Sequence, residues 1–548
     1  CGSTWSGCGR VPAVPLGSST CAVWHERGGP VMGLARGWSV ALAGVTGRLV
    51  GVEADVGPGL PGFGLIGLPD TALSEARERV RAAVQNSGEA WPKQKVTVSM
   101  SPADLHKRGG GFDLVLALVV LAAAGAVPED ATAGMVVLGE LGLDGSVHGL
   151  RGVLPAVAAV GRSGLTRVMV PVANVGEAGL VDGLEVVGVA SLRHALAVLR
   201  GEPVPEPVER LGPMPRRALV EPAEVPDLAD VRGQAEARRA LEVAAAGGHH
   251  VFLHGAPGAG KTMLAERLPG LLPELGRAAA LEVTEIHSVA GVLPTGGGLV
   301  TRPPYARPHH TATTAALVGG GSGALRPGAV SLAHRGVLFL DEAPEFRAGV
   351  LDCLRQPMES GEVIIARAAL TARFPAAFLL VLAANPCPCG KAADLGRGGG
   401  CSCTPHVRRR YRSRLSRPLL DRIDLQVYVD RPSRVELIGA ADGESTATVA
   451  ERILTARHRA LHRLTGTPWT LNAQVPSRAL RREFRVEDAA VRILERALDG
   501  GWLSARGMDR VLRVSWSVSD LAGKPRPGPS EVGAALALRS GVTDGWAA

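Results

Sequence analysis

Apolar and polar positions over residues 39–200 alternate between strand-like and helix-like periods, which predicts a mixed α/β domain. Residues 39–56 indicate two strands with a turn near Gly44, and residues 95–100 alternate like a half-buried strand. The apolar run after Asp113 ends near residue 127, too short to cross a bilayer, so it predicts a buried core helix. The other predicted elements are helices over 70–87 and 150–161 and strands over 135–138, 167–171 and 184–189.

Changes in this pattern predict where the chain divides. The first 31 residues show no periodicity, which is typical of a disordered extension or of translated upstream sequence. A stretch rich in proline and glutamate after residue 201 is typical of a linker. The predicted units are an extension (1–31), an N-terminal α/β domain (32–201), a linker (202–226), a nucleotide-binding α/β core (227–432) and a C-terminal helical lid (433–548).

A glycine-rich loop stands between an apolar run at 251–253 and a helix-like segment that starts at Met263. It matches the pattern G-x-x-x-x-G-K-[ST], whose backbone N–H groups surround a phosphate. Lys261 is predicted to reach the terminal phosphates, and Thr262 to place its hydroxyl on Mg²⁺. The predicted phosphate loop consists of Gly255, Ala256, Pro257, Gly258, Ala259, Gly260, Lys261 and Thr262.

A second nucleotide motif follows at the end of an apolar strand over residues 337–340. Asp341 is predicted to hold Mg²⁺, and Glu342 to polarise the attacking water. Either motif alone could arise by chance in a glycine-rich turn or at an acidic strand end. Together and in this order they predict an ATP hydrolase that uses ATP and Mg²⁺.

Composition adds little to this picture. The 548 residues are 46% apolar and 20% charged, as in a soluble globular protein with more than one domain. The net charge of +8 is a mild excess that permits contact with nucleic acid without requiring it. The N-terminus lacks a positive region followed by an apolar core, so we expect a cytoplasmic protein without a membrane partner. In that compartment the eight cysteines are not read as a disulfide framework.

Four cysteines form two closely spaced pairs that are joined by a glycine-rich segment over 396–400. Four thiolates can bind a structural Zn²⁺ in tetrahedral geometry, and His406 is a candidate substitute ligand. Reduced cysteines in a loop and a redox disulfide remain the alternatives. The candidate zinc ligands are Cys387, Cys389, Cys401 and Cys403.

Several longer motifs carry a resemblance to a known family. From Met32 to the last residue, the chain resembles the magnesium chelatase-like AAA+ ATPases that include the competence protein ComM and YifB. The matching segments are long, ordered and specific: residues 39–45, 62–70, 302–310, 385–390, 411–415 and 526–532.

This resemblance implies roles for three residues outside the two nucleotide motifs. Asn385 ends an apolar strand at the position of sensor 1, which orients the lytic water. Arg422 lies in a segment similar to the one that carries the arginine finger, and Arg506 lies in a segment similar to the sensor 2 helix, with Arg510 as the second choice. The alternative for Arg422 is a salt bridge with Asp421 or Asp424 on a helix surface.

The resemblance also implies an assembly and an activity. An arginine finger that acts on a neighbouring subunit requires an oligomer, and the family implies a homo-hexameric ring that moves on DNA, as in the branch migration associated with ComM. The alternative function is that of a protein-remodelling motor subunit related to magnesium chelatase.

The N-terminal domain resembles the Lon-protease-like fold, which has the topology of the second domain of ribosomal protein S5. Proteolysis is disfavoured, because Arg151 stands where the catalytic lysine is expected and residues 109–113 contain no serine. An arginine cannot act as a base near neutral pH.

Three basic segments are candidate DNA contacts. An arginine-rich run over 408–417 favours phosphate contact, or alternatively a helix surface or a subunit interface. By resemblance, the insert over 287–335 includes a loop that projects into the ring pore, and Arg367 lies in a hairpin similar to the pre-sensor 1 hairpin. The cations of the insert are Arg302, Arg307, His309 and His310.

Overall fold

The computed structural model describes residues 33–67, 71–103, 105, 107, 109–128, 130–204, 226–293, 298–321, 325–367, 370–391, 400–439 and 443–540. The predicted extension over 1–31 and most of the predicted linker over 202–226 lie outside these ranges. Within them, no helix is both long enough and apolar enough to cross a membrane.

The N-terminal part is built on a seven-stranded mixed sheet with the order β3-β4-β2-β1-β5-β8-β9. Strands β1, β2 and β4 pair antiparallel, whereas β1, β5, β8 and β9 pair parallel. The strands of this part, of which β6 and β7 form a separate two-stranded hairpin, are β1 (Gly33–Ala43), β2 (Thr46–Gly57), β3 (Gly62–Ile66), β4 (Lys95–Ser101), β5 (Met135–Val137), β6 (Glu140–Leu141), β7 (Val147–His148), β8 (Arg167–Pro171) and β9 (Glu185–Val189). Its helices are α1 (Thr71–Asn86), α2 (Asp113–Ala123), α3 (Val153–Gly161), α4 (Val175–Ala178) and α5 (Leu192–Arg200).

Helices cover both faces of this sheet because successive strand residues point to opposite sides. In β5, Met135 and Val137 pack in one hydrophobic cluster with α1, α2 and α5, while Val136 packs in a second cluster with α3. Every residue of α2 is buried, which confirms the predicted core helix after Asp113. The predicted turn between the first two strands is also confirmed, since Gly44 adopts a φ of +68° between β1 and β2.

The central part contains a five-stranded sheet with the order β11-β14-β17-β10-β18, in which all neighbouring strands are parallel. Its strands, with those of two short hairpins, are β10 (Val251–His254), β11 (Tyr305–Ala306), β12 (Gly319–Gly320), β13 (Arg326–Pro327), β14 (Val337–Leu340), β15 (Glu362–Arg367), β16 (Leu370–Pro375), β17 (Leu379–Ala384) and β18 (Leu425–Tyr428). Its helices are α6 (Ala235–Gly247), α7 (Lys261–Leu271), α8 (Arg277–Ala290), α9 (Thr314–Val318), α10 (Ala329–Leu332), α11 (Ala348–Asp352), α12 (Arg355–Ser360), α13 (Pro405–Arg412), α14 (Arg417–Leu420) and α15 (Arg434–Gly439).

Strands β10, β14 and β17 are fully buried, which explains why they read as continuous apolar runs. Their carboxyl ends meet at one edge of the sheet, where ligands bind in open parallel α/β sheets. The chain thus contains a mixed α/β fold with a parallel sheet that is consistent with a P-loop AAA+ core.

The C-terminal part is helical and shares one hydrophobic cluster with the central sheet. Helix α19 packs against α6 of the core as well as against α16 and α20. The hydroxyl of Ser504 caps the start of α19 by accepting a hydrogen bond from the backbone N–H of Gly507. The helices are α16 (Thr446–Arg463), α17 (Ser477–Arg482), α18 (Asp488–Asp499), α19 (Ala505–Ala522) and α20 (Pro529–Ser540).

Helix α8 of the core contacts the N-terminal part directly. The backbone N–H of Gly152 donates to the carbonyl of Ser288 at 3.1 Å, and the hydroxyl of Ser288 donates to Glu177 at 2.7 Å. A backbone bridge also joins Gly44 to Arg373 of the β15–β16 hairpin. The two α/β parts are therefore joined by hydrogen bonds as well as by the chain.

Candidate nucleotide site

The predicted phosphate loop connects the buried strand β10 to helix α7. Gly258 and Gly260 adopt φ values of +75° and +91°, a region that side-chain-bearing residues rarely occupy. These two positions let the chain turn sharply in front of the N-terminus of α7, which begins at Lys261. The partial positive charge at such a helix end favours an anion, so this loop has the conformation and polarity that a phosphate requires.

Lys261 is held in the loop by neutral oxygen atoms. Its Nζ donates to the carbonyls of Gly255 at 2.8 Å and Ala256 at 2.9 Å, and to Oδ1 of Asn385 at 3.1 Å. Burial lowers the pKa of Lys261 to about 8, against the opposing effect of the Asp341 and Glu342 charges. The ammonium is therefore fixed in place without a direct carboxylate partner among its described contacts, as expected for a group that binds an anion.

Two carboxylates follow strand β14 and lie next to the first turn of α7. Oδ2 of Asp341 accepts a hydrogen bond from the Thr262 hydroxyl at 2.9 Å, and Oδ1 accepts one from the backbone N–H of Glu342 at 3.0 Å. Glu342 has a φ of +49°, and its side chain is half exposed. A hydroxyl and a carboxylate oxygen in contact are hard ligands of the kind that Mg²⁺ prefers, so these residues fit that ion.

A cavity of about 380 Å³ brings the predicted residues together. It lies at the carboxyl ends of β10, β14 and β17, where the sheet positions the loop, the two carboxylates and Asn385 around one space. Its lining residues are Pro257, Gly258, Gly260, Lys261, Thr262, Met263, Asp341, Glu342, Ala384 and Asn385.

Arg422 does not line this cavity. Its guanidinium donates to the carbonyl of Pro418 at 2.6 Å and forms an ion pair with Glu359. The alternative pairing with Asp421 or Asp424 is wrong, because the turn after α14 directs the side chain toward α12. Its role as a finger acting on a neighbouring chain stays a prediction.

The sensor 2 candidates also lie away from the cavity lining. Arg506 is exposed in the first turn of α19 and has no hydrogen-bond or ion-pair partner within the described ranges. Arg510 pairs with the buried Asp424 at 3.0 Å, so it links the lid to the core. The assignment of sensor 2 to Arg506 stays a prediction.

Arg307 was expected in the DNA-contacting insert, but the structure places it beside the nucleotide carboxylates. Its guanidinium contacts Glu266 at 2.9 Å and Oδ2 of Asp341 at 2.8 Å. His310 lies near Glu342, with 3.8 Å between Nδ1 and Oε2. The pairing of β11 with β14 explains both positions, since this edge strand runs beside the strand that directly precedes Asp341.

The candidate zinc cysteines form a compact cluster. Their sulfur atoms all lie within 4.8 Å of one another, and three of the S···S distances are 3.3, 3.6 and 3.8 Å. A Zn–S length of about 2.3 Å in tetrahedral geometry requires S···S distances of about 3.8 Å, so the arrangement fits zinc. The candidate substitute His406 is not part of this group, which consists of Cys387, Cys389, Cys401 and Cys403.

The cysteine cluster lies against the nucleotide site. The hydrogen bond from the Lys391 backbone has the largest effect on the Cys389 thiol, and the hydrogen bond from the Cys387 thiol has the next largest. Together they lower the pKa of Cys389 to about 6, which favours the thiolate that binds metals. Gly390, with a φ of +75°, approaches the phosphate loop so closely that an added Cβ would stand 2.3 Å from Cγ of Pro257. A metal here would brace one wall of the cavity.

The other candidate DNA contacts lie on separate elements. Arg409 and Arg410 are exposed on α13, and Arg367 is exposed at the end of β15 in the hairpin that the sequence predicts. Arg414 is held at 2.9 Å by Glu345, which lies in the short 3₁₀ turn (Ala343–Glu345) that follows Glu342. Their contacts with DNA stay predictions.

Comparison with known proteins identifies the family to which the chain is related. Three family models match the chain: "Subunit ChlI of Mg-chelatase" over residues 52–174, "Magnesium chelatase, subunit ChlI" over 227–437 and "Magnesium chelatase, subunit ChlI C-terminal" over 443–539. The chain is 51% identical over 508 residues to the uncharacterized protein Rv2897c of Mycobacterium tuberculosis, covering 93% of this chain and 99% of the relative.

Two further relatives align with this chain over most of their own length and most of its length. Competence protein ComM of Haemophilus influenzae is 38% identical over 518 residues, which is 93% of this chain and 98% of the relative. The uncharacterized protein YifB of Escherichia coli is 39% identical over 485 residues, which is 88% of this chain and 92% of the relative. These matches show that the chain belongs to the magnesium chelatase-like family that includes ComM and YifB.

Proposed function

We propose that this protein is an AAA+ ATPase that binds ATP with Mg²⁺ and hydrolyses it to drive movement on DNA. The observation that carries the ATPase part is the cavity between the phosphate loop and the two carboxylates. In it a buried lysine is held by neutral oxygens, and the Thr262 hydroxyl already contacts the carboxylate of Asp341. Membership in the family supports the same reaction.

The residues of the cavity have different proposed roles in the reaction. Lys261 and the loop N–H groups bind the phosphates, while Thr262 and Asp341 hold Mg²⁺, which offsets the negative charge of the phosphates. Glu342 polarises the attacking water, and Asn385 orients it. Because Asn385 also accepts a hydrogen bond from Lys261, the water-orienting and phosphate-binding groups are fixed relative to each other.

The active form is proposed to be a homo-oligomeric ring, with six subunits by analogy to the family. Arg422 and Arg506 do not line the cavity of their own chain, and we propose that Arg422 contacts the ATP of a neighbouring subunit. A finger arginine supplied in trans contributes about 10³–10⁵ in rate in other phosphoryl-transfer enzymes.

The DNA part of the proposal rests on the relationship to a protein named for competence and on the exposed arginines of α13 and the β15–β16 hairpin. We further propose the five units as predicted, with a Lon-like but non-proteolytic N-terminal domain (32–201), an AAA+ core (227–432) and a helical lid (433–548). The four-cysteine cluster is proposed to bind one structural Zn²⁺.

The second candidate is a protein-remodelling motor related to magnesium chelatase. The descriptions of the matching family models favour it, since they name a subunit of that enzyme across all three parts of the chain. In this case ATP turnover would respond to a protein partner rather than to DNA.

The test is the steady-state ATPase rate of the full chain without DNA, with single-stranded DNA and with a four-way junction, and Glu342→Gln serves as the blank. Stimulation by DNA, greatest on the junction, is the result expected of a branch-migration motor. A measurable rate that no DNA changes would refute the DNA part and favour the remodelling motor. A rate equal to that of the blank would refute ATP hydrolysis.

A further inference from the structure

Arg307 is held at the nucleotide site by the register of two neighbouring strands. Tyr305 and Ala306 pair with Val337 and Leu338, so Arg307 comes next to Phe339. The guanidinium carbon lies 5.4 Å from the centre of the Phe339 ring, a cation–π contact that limits where this charge can stand.

From this position the guanidinium bridges two carboxylates on different elements. One nitrogen contacts Oε1 of Glu266 on α7 at 2.9 Å, and another contacts Oδ2 of Asp341 after β14 at 2.8 Å. Oδ2 of Asp341 is also the atom that accepts the hydrogen bond from Thr262. The oxygen proposed to face Mg²⁺ is thus already in contact with a cation of the protein itself.

A divalent cation and a guanidinium cannot share this oxygen at contact distance without strong repulsion, because like charges a few ångströms apart repel and the site is partly shielded from water. Glu266 offers Arg307 a second anionic partner that it already touches. We propose that Arg307 pairs with the Asp341 carboxylate in the nucleotide-free protein. When Mg²⁺ binds this carboxylate together with its nucleotide, Arg307 exchanges partners and pairs with Glu266 alone. This inference rests on the proposed ATP site. It adds Arg307 as a residue that sets the Mg²⁺ concentration needed for nucleotide binding.

If Arg307 exchanges partners in this way, the Mg²⁺ concentration that half-saturates nucleotide binding should change in a defined direction in each variant. Arg307→Gln removes the competitor, so this concentration should fall about two- to fivefold, the range expected for one partly exposed ion pair. Glu266→Gln removes the alternative partner and should raise it by a similar factor. In the double variant the concentration should equal that of Arg307→Gln alone, since Glu266 acts through Arg307.

The measurement is the fluorescence anisotropy of a labelled ATP analogue with the full chain at fixed nucleotide and increasing Mg²⁺. Arg347→Gln is the matched control, because Arg347 is exposed after the 3₁₀ turn over Ala343–Glu345 and lies outside the cavity lining. This substitution removes the same charge. An unchanged or raised half-saturating concentration in Arg307→Gln would overturn the proposal. So would an equal decrease in Arg347→Gln, which would reduce the effect to net charge.

A further pair of measurements separates this inference from the proposed function. If Lys261→Ala and the unsubstituted chain bind the analogue equally, the ATP site itself is refuted, and the exchange with it. If the unsubstituted chain binds and Lys261→Ala does not, a missing shift in Arg307→Gln refutes the exchange alone. The thermal unfolding of each variant identifies any loss of folded protein.

Discussion

Asp424 connects the lid to the core, and its substitution by asparagine should destabilise both. Its carboxylate is only 1% exposed and contacts Arg510 of α19 at 3.0 Å. On the core side it accepts a hydrogen bond from the backbone N–H of His250 at 3.2 Å and lies 3.5 Å from Nδ1 of His249. Asp424→Asn keeps the shape of the side chain but removes its charge, leaving Arg510 without its buried partner.

The magnitude follows from the burial of the pair. Breaking a buried ion pair by removing one partner costs about 3–5 kcal/mol, because the remaining charge is left uncompensated. At roughly 2–4 °C per kcal/mol, the unfolding transition of the core and lid should fall by about 6–20 °C. Burial alone would raise the pKa of Asp424, but the His249 side chain and the Arg510 charge outweigh it and hold this pKa well below its ordinary value.

The low pKa gives the effect a pH dependence with a defined sign. A carboxyl whose folded-state pKa is depressed contributes stability that is present above its unfolded pKa of about 4 and is lost as the pH falls below it. Calorimetry between pH 7 and pH 3 should therefore show a gap between the unsubstituted chain and Asp424→Asn that narrows toward the acid end. The double variant with Arg510→Met should recover part of the loss at pH 7. A transition of Asp424→Asn within about 1 °C of the unsubstituted chain at pH 7 would refute this reasoning.

Three further substitutions test the candidate site. Lys261→Ala should weaken ATP binding about 100-fold by equilibrium titration, because it removes the charged donor to the phosphates. Arg422→Ala should bind ATP normally yet lose turnover, and mixing it with Glu342→Gln should restore part of the ATPase rate, since each defective subunit supplies what its neighbour lacks. Cys403→Ser should lower the zinc content, by elemental analysis, from about one ion per chain, while Cys353→Ser should leave it unchanged, because Cys353 is outside the cluster.

Each of these has an outcome that contradicts it. Unchanged ATP affinity in Lys261→Ala would refute the phosphate loop. Absence of rescue in every mixture would assign Arg422 a structural role through its contact with Glu359. The proposed zinc site would be refuted if the unsubstituted chain contained no zinc, or if Cys403→Ser retained the same zinc content.

Local sequence patterns were sufficient for the elements whose form depends on their own residues. The strand over 167–171 matches β8 because an apolar run buried on both faces admits few alternatives. The phosphate loop is equally local, since eight consecutive residues carry its glycines, lysine and hydroxyl. Predicting Asn385 as a candidate required only the recognition that an apolar strand ends at this residue. The parallel sheet then places Asn385 beside Lys261.

The position of Arg307 could not be predicted in this way, because it depends on which strand lies beside β14. Arg307 and Val337 are 30 positions apart, and neither segment indicates that their strands pair or in which register. The same limit applies to Asp424, whose partner Arg510 is 86 positions away. Buried charges are partnered in folded proteins, but the sequence alone does not say by which residue.

Helix α8 gives a physical reason why the N-terminal part and the nucleotide site should influence each other. On one side, Ser288 contacts Glu177 and Gly152 of the N-terminal part. On the other side, Glu282 accepts hydrogen bonds from Arg335, at 3.0 Å, and pairs with His334, just before β14 begins. Asp341 and Glu342 directly follow strand β14, so a single helix connects the N-terminal contacts to the strand that positions both candidate carboxylates. Since closely packed interiors transmit strain, we expect a displacement of the N-terminal part relative to α8 to reach the strand that positions these carboxylates.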